Sequence, residues 1–158
     1  MLVVLKQFRV VIANIREHYR DIELATGVSG AQLWALCAIA SRSGITVGEL
    51  ARELALHPST ASNLLVRLTE LGYIKRERHL ADQRVVAIEL TAKGKSVVRN
   101  APQPAIGMLQ AALLSLPTER LTGLGDHLEE LIKKIGLTRA TGAGTPLSTS
   151  LGDRKTRR

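Results

Sequence analysis

Four small polar side chains crowd into one short stretch of the chain, Ser59, Thr60, Ser62 and Asn63, and Arg67 follows one helical turn after the asparagine. An asparagine amide offers a donor and an acceptor side by side, the pair that an adenine edge presents in the DNA major groove. Serine and threonine hydroxyls serve either donors or acceptors. An arginine one turn away is placed for phosphate, which adds affinity without reading sequence. A second group of charged residues follows directly: Lys75, Arg76, Arg78 and Arg84, with Asp82 two positions before the last. A guanidinium such as Arg84 at the tip of a loop suits a narrow A·T minor groove, and Asp82 can hold it in place through a charge-assisted hydrogen bond. Taken together, these residues predict a surface that binds double-stranded DNA.

Other chemistries find little support. The chain carries no metalloprotease His-Glu-x-x-His, no phosphate-binding glycine loop and no nucleophile elbow, so an enzyme is not expected. His18, His57, His79 and His127 are scattered singly and Cys37 is the sole cysteine, which leaves no metal site, no cofactor and no intrachain disulfide to expect. Only four aromatic residues occur, Phe8, Tyr19, Trp34 and Tyr73, too few to stack the bases of a single strand.

The elements that must hold the polar stretch are readable from periodicity and caps. Pro58 fits the first turn of a helix, where its missing N–H has no intrahelical partner, and Gly72 stops that helix. Its core face is Ala61, Leu64, Leu65, Leu68 and Leu71, spaced i, i+3, i+4, i+7. Ser59 and its polar neighbours lie opposite. Two capping boxes precede it, Ser29-Gly30-Ala31-Gln32 and Thr46-Val47-Gly48-Glu49. The first opens a helix over about 30–41 that buries Leu33, Leu36, Cys37 and Ala40, and the second a helix over about 47–54 that buries Leu50 and Leu54. With only Ala55-Leu56-His57 between them, this second helix and the Pro58 helix form a helix-turn-helix. Beyond Gly72, residues 73–79 and 84–90 alternate as two strands around a turn at 80–83, a basic hairpin of the kind that makes a wing. Thr91 then caps a helix extending to about Leu114, which Pro102 and Pro104 must kink or break near Ala101.

Two apolar stripes bracket this core. Leu5, Phe8, Ile12, Ile15, Tyr19 and Ile22 alternate steps of three and four, and Leu121, Leu124, Leu128, Leu131 and Ile135 repeat the pattern between Pro117 and Gly136. Each large apolar side chain fully buried contributes ~1.5–3 kcal/mol. Stripes this rich exceed the needs of one small core and point to a homodimer, with Leu5, Phe8, Ile12 and Ile15 and Leu121, Leu124, Leu128, Leu131 and Ile135 as its dimerisation residues. A twofold axis would set two reading helices ~34 Å apart on one palindromic operator.

The net charge of +8 over 158 residues is focal: residues 57–99 carry eight basic and four acidic groups, and 137–158 carry five and one. The second block is rich in Gly, Ser, Thr and Pro, cannot offset its ordering entropy by apolar burial, and reads as a disordered basic tail. The longest uncharged run, 100–118, is interrupted by three prolines, whereas a membrane span needs ~20 mostly apolar residues. Lys6 and Arg9 break up any signal-peptide core, so the expected location is the cytosol, with the nucleoid as partner.

The stretch ELARELALHPSTASNLLVRLTELGYIKRERHLADQRVVAIELTAKG resembles the DNA-binding core of the MarR family of winged-helix transcription regulators. Its most specific piece is Asp82-x-Arg84 followed by Leu90-Thr91-x-x-Gly94. The resemblance, over about residues 10–136, implies a mostly α fold: a winged helix-turn-helix core flanked by N- and C-terminal dimerisation helices. The expected organisation is 1–28 for the first dimerisation helix, 29–99 for the DNA-binding domain, 100–136 for the C-terminal dimerisation helices and 137–158 for the tail. It also implies a homodimeric repressor of palindromic sites, released by a small ligand such as an aromatic or phenolic acid. Base contacts would then fall to Ser59, Ser62 and Asn63, and the wing tip to Arg84. Ligand candidates are Arg16, His18 and Arg20 on the first helix, with Trp34 and Cys37, although Cys37 beside Leu33 and Leu36 reads more simply as core filler. The alternative is an architectural DNA binder without sequence preference, using hairpin and tail as cationic glue.

Overall fold

A computed structural model describes residues 1–78, 86–105, 107–136, 144 and 146 of the chain. Helix α1 spans Leu2–Thr26 and ends at Gly27, whose φ of 70° closes the helix while its N–H donates to the carbonyl of Glu23. Helices α2 (Gly30–Ser41) and α3 (Val47–Glu53) begin at the two predicted capping boxes. In the second of these the Thr46 N–H donates to Glu49 Oε2 at 2.9 Å and the Glu49 N–H donates back to Thr46 Oγ1 at 3.3 Å. Helix α4 covers Pro58–Glu70. Strands β1 (Ile74–Arg78) and β2 (Val86–Leu90) pair antiparallel with Ile74 opposite Leu90 and Lys75 opposite Glu89. The first strand begins one residue later than predicted, at Ile74, and residues 79–85, with the predicted turn at 80–83, lie outside the described residues. Ile45 adds a single bridge to Ile88, which ties the α2–α3 connection to the hairpin.

Helix α5 is Ala92–Arg99, α6 is Met108–Leu114 and α7 is Thr118–Lys134. The break expected near Ala101 is therefore present: without N–H groups at Pro102 and Pro104 the α5 ladder cannot continue. The chain turns there and brings α6 against α1. His18 takes part in this turn, with its Nε2 3.2 Å from the carbonyl oxygen of Pro104.

The core lies where α2, α3, α4 and the hairpin meet. Leu33, Leu36, Leu50, Leu65, Leu68 and Ile88 are fully buried there. One expectation is corrected here. Helix α2 does not bury a single stripe: Ala40 is exposed and Cys37 only half-buried, whereas Ala31, Ala35, Ala38 and Ile39 are buried. The reason is its central place, in contact with α1, α3, α5 and β2, so that nearly every side of it needs to be apolar. Ile15 is corrected as well. It is buried within the chain itself and cannot join a surface stripe, and so is Ile22. Tyr19 is partly buried against the core, and the remaining stripe residues, Leu5, Phe8, Ile12, Leu121, Leu124, Leu128, Leu131 and Ile135, are all exposed.

Candidate nucleic-acid interface

Helix α4 is anchored by Ala61, Leu65 and Leu68, which are buried in the core. At 100° per residue the opposite side of the helix centres on Ser59, Asn63 and Val66, flanked by Ser62 and Arg67. Ser59, Asn63, Val66 and Arg67 are exposed, and Thr60 and Ser62 are partly so. The predicted polar face is thus one surface, projecting away from the α3–α4 packing. Arg67 lies 3.2 Å from Glu70 in a pair exposed on both sides. Such a pair is worth under about 1 kcal/mol, so it restrains the guanidinium only weakly.

The cap of this helix is His57, which the sequence reading placed in the connecting turn. Its Nδ1 accepts from the Ser59 N–H at 3.4 Å and lies 2.7 Å from Ser59 Oγ. The signal was an acceptor directly before a first-turn proline, in a position where hydroxyls and carboxamides are the usual residues. A further neighbour also went unforeseen. The His57 N–H donates to the carbonyl of Gly144 at 3.4 Å, which brings this point of the basic tail to the start of α4. A Cβ at Gly144 would meet the His57 backbone nitrogen at 3.0 Å. Nearly all of the rest of 137–158, including the DRKTRR end, lies outside the described residues, and with it the expectation of disorder.

The hairpin cations divide. Lys75 makes an ion pair of 3.2 Å with Glu89, its cross-strand neighbour, exposed on both sides and so only a weak restraint on the ammonium. The register sets this carboxylate opposite it. Arg76 is exposed, and for Arg78 the backbone of β1 is described. Asp82 and Arg84 lie outside the described residues.

The base of the hairpin is fixed by the Leu90-Thr91-x-x-Gly94 motif. Thr91 Oγ1 donates to the Gly72 carbonyl at 2.8 Å and accepts from the Gly94 N–H at 3.1 Å. Lys93 Nζ donates to the Leu71 carbonyl at 2.9 Å and sits 4.5 Å above the Tyr73 ring. The residues leaving α4 are therefore held by the residues entering α5, and this junction sets the hairpin beside the reading helix.

Of the ligand candidates, Arg16 and Arg20 are exposed on α1, while His18 is buried and turned toward Pro104. The reason is the proline break, which covers that side of α1. Trp34 and Cys37 are half-buried against the core. Burial pushes the Cys37 thiol above its ordinary pKa, so the neutral form dominates and reactivity is low. Among the described residues no group of His, Cys, Asp and Glu could hold a metal ion, and no single helix is long and apolar enough to cross a membrane.

Comparison with known proteins places this geometry. Residues 26–85 match the sequence profile of the MarR family. An uncharacterised HTH-type transcriptional regulator of Mycobacterium leprae is 29% identical over 108 residues, covering 66% of this chain and 76% of that protein. The HTH-type transcriptional regulator MgrA of Staphylococcus aureus is 39% identical over 66 residues, 42% of this chain and 45% of MgrA, so the chain matches less than half of that relative's length. Among solved structures, a MepR-like protein complexed with pseudoligands has a TM-score of 0.59 at 22% identity, over 85% of this chain and 95% of that one. FabT of Streptococcus pneumoniae in complex with DNA has a TM-score of 0.57 at 20% identity, over 87% and 99%.

Proposed function

We propose that the chain, whose residues 26–85 match the MarR family, is a DNA-binding transcription regulator of that family and not an enzyme, and that it works as a homodimer that recognises a palindromic operator and represses transcription from it. The observation that carries this reading is the outward face of α4. Ser59 and Asn63 stand on the side opposite Ala61, Leu65 and Leu68, with Thr60 and Ser62 on its two flanks, on a helix held between α3 and the hairpin. In this reading Ser59, Thr60, Ser62 and Asn63 face base edges and Arg67 and Arg76 face phosphate, with Arg78 and the Asp82–Arg84 pair extending the contact from the hairpin. FabT, a protein of the same fold, is known in complex with DNA.

Dimerisation is supported by the uncovered apolar faces of α1 and α7. Leu5, Phe8 and Ile12 on one, and Leu121, Leu124, Leu128, Leu131 and Ile135 on the other, are exposed in the single chain, and an exposed apolar helix face of this kind marks an association site. The expected organisation carries over to this proposal: 1–28 and 100–136 join the two chains, and 29–99 reads DNA. Release by a small ligand is the remaining part of the reading. Its support is that the MepR-like neighbour is complexed with pseudoligands.

The experiment is selection of bound fragments from random duplex DNA, followed by affinity measurement on the selected and on scrambled sequences over a range of salt. An inverted repeat with a preference of roughly 10³-fold or more is expected. Equal affinity for both sequences would leave the architectural reading in its place.

A further inference from the structure

Val66 stands out on the α4 face just described. It is 44% exposed, although the helix buries its other large apolar residues wholly or in part. It is seven residues from Ser59, three from Asn63 and four from Ser62, so it shares their line along the helix and lies near the middle of the face that points away from the core. A β-branched side chain is not favoured at an exposed helical position, where its χ1 is restricted. Around it are hydroxyls, an amide and the Arg67–Glu70 pair. In a major groove crowded with donors and acceptors, one apolar group projects from the bases: the C5 methyl of thymine, which apolar side chains recognise by contact.

We propose that Val66 is a specificity-determining residue that packs against a thymine methyl in each half of the operator, beside the base edge read by Asn63. This rests on the operator reading above. Hydrogen-bonding residues distinguish bases by their edges, and a valine between them distinguishes thymine from cytosine by an apolar contact that neither hydroxyl nor amide supplies. Val66 has two methyl groups at its tip, and an alanine there would be too short to reach the same atom.

The test removes the methyl from the DNA and the side chain from the protein independently. Each thymine of the selected duplex is replaced in turn by deoxyuridine, which lacks only the methyl, and affinity is measured for the wild type and for Val66→Ala. Alanine at an exposed helical site favours folding, so the variant remains assayable. The expected wild-type result is a loss of roughly four-fold per half-site at one symmetry-related pair of thymines, the size of one buried methyl-sized group. Val66→Ala is expected to bind the two DNAs alike at that pair and to keep its preference for the operator elsewhere. If no thymine is sensitive in the wild type, or if Val66→Ala keeps the same sensitivity, the proposal is overturned while operator recognition stands. A wild type with no preference between selected and scrambled duplex overturns both.

Discussion

The ammonium of Lys93 is bonded to the carbonyl oxygen of Leu71 at 2.9 Å, across 22 positions of sequence, and so joins the first turn of α5 to the C-terminal end of α4. The cation answers a helix terminus that carries unpaired carbonyls and partial negative charge. With Thr91 on the Gly72 carbonyl, it makes the exit of α4 a fixed point from which the hairpin departs.

Two substitutions at this junction are expected to cost stability for different reasons. Thr91→Val removes the acceptor of the Gly94 N–H and the donor to Gly72, a loss of about 1–2 kcal/mol. Gly94→Ala places a Cβ 2.2 Å from the Tyr73 carbonyl oxygen, which is backbone and cannot turn aside, and overpacking of this kind costs about 1–3 kcal/mol. Urea unfolding monitored by circular dichroism measures both, and unchanged midpoints would show that the junction is not needed for folding.

Asn63→Ala is expected to relax base preference at one operator position per half-site, at a cost of about 1–3 kcal/mol, while Arg67→Ala weakens all duplexes alike and flattens the salt dependence. Affinity measured on operators mutated position by position separates the two. A uniform loss for Asn63→Ala would remove it from the base-reading set.

Leu128→Glu sets a carboxylate in the middle of the exposed α7 stripe, where a partner helix would have to bury it. The wild type is expected to sediment as a dimer and the variant as a single chain with intact helical content, with steeply reduced binding to a two-half-site duplex. A monomeric wild type at micromolar concentration would contradict this.

Glu49 gives a pH dependence with a definite sign. Hydrogen bonds from the Thr46 backbone and hydroxyl, with Arg42 nearby, hold its carboxyl below the ordinary glutamate range. The folded state therefore favours the ionised form. The contribution is fully present above the ordinary glutamate pKa and is lost as pH falls through the lower folded value. Glu49→Gln is expected to flatten the acid limb of the stability curve while changing stability less at low pH than at neutral pH. An identical acid limb in both proteins would refute the assignment.

The Cys37 thiol, half-buried and held neutral, is expected to react with a thiol reagent at neutral pH more slowly than free cysteine, and Cys37→Ser is expected to leave the response of DNA binding to mild peroxide unchanged. Reaction faster than free cysteine would restore it as a redox candidate.

Local signals were enough to define the helices and the reading face. Caps at Ser29 and Thr46, a first-turn proline at 58, a stop at Gly72 and the 3.6-residue spacing of Ala61, Leu65 and Leu68 act within a few residues of one another, so the sequence alone locates α2, α3 and α4 and determines that Ser59, Ser62 and Asn63 face away from the core. Tertiary structure decided what depends on residues far apart. His18 turns inward because Pro104, 86 positions later, is brought beside it, and Lys75 finds a carboxylate partner because the strand register sets Glu89 across from it. Ile15 and Ile22 are buried and Tyr19 is partly covered, whereas Leu5, Phe8 and Ile12 of the same stripe are exposed, and it is α2 and α6 that pack against α1. Periodicity can show that a helix has an apolar side, but which residues of that side the chain covers itself, and which it leaves for a partner, depends on long-range packing that no local pattern encodes.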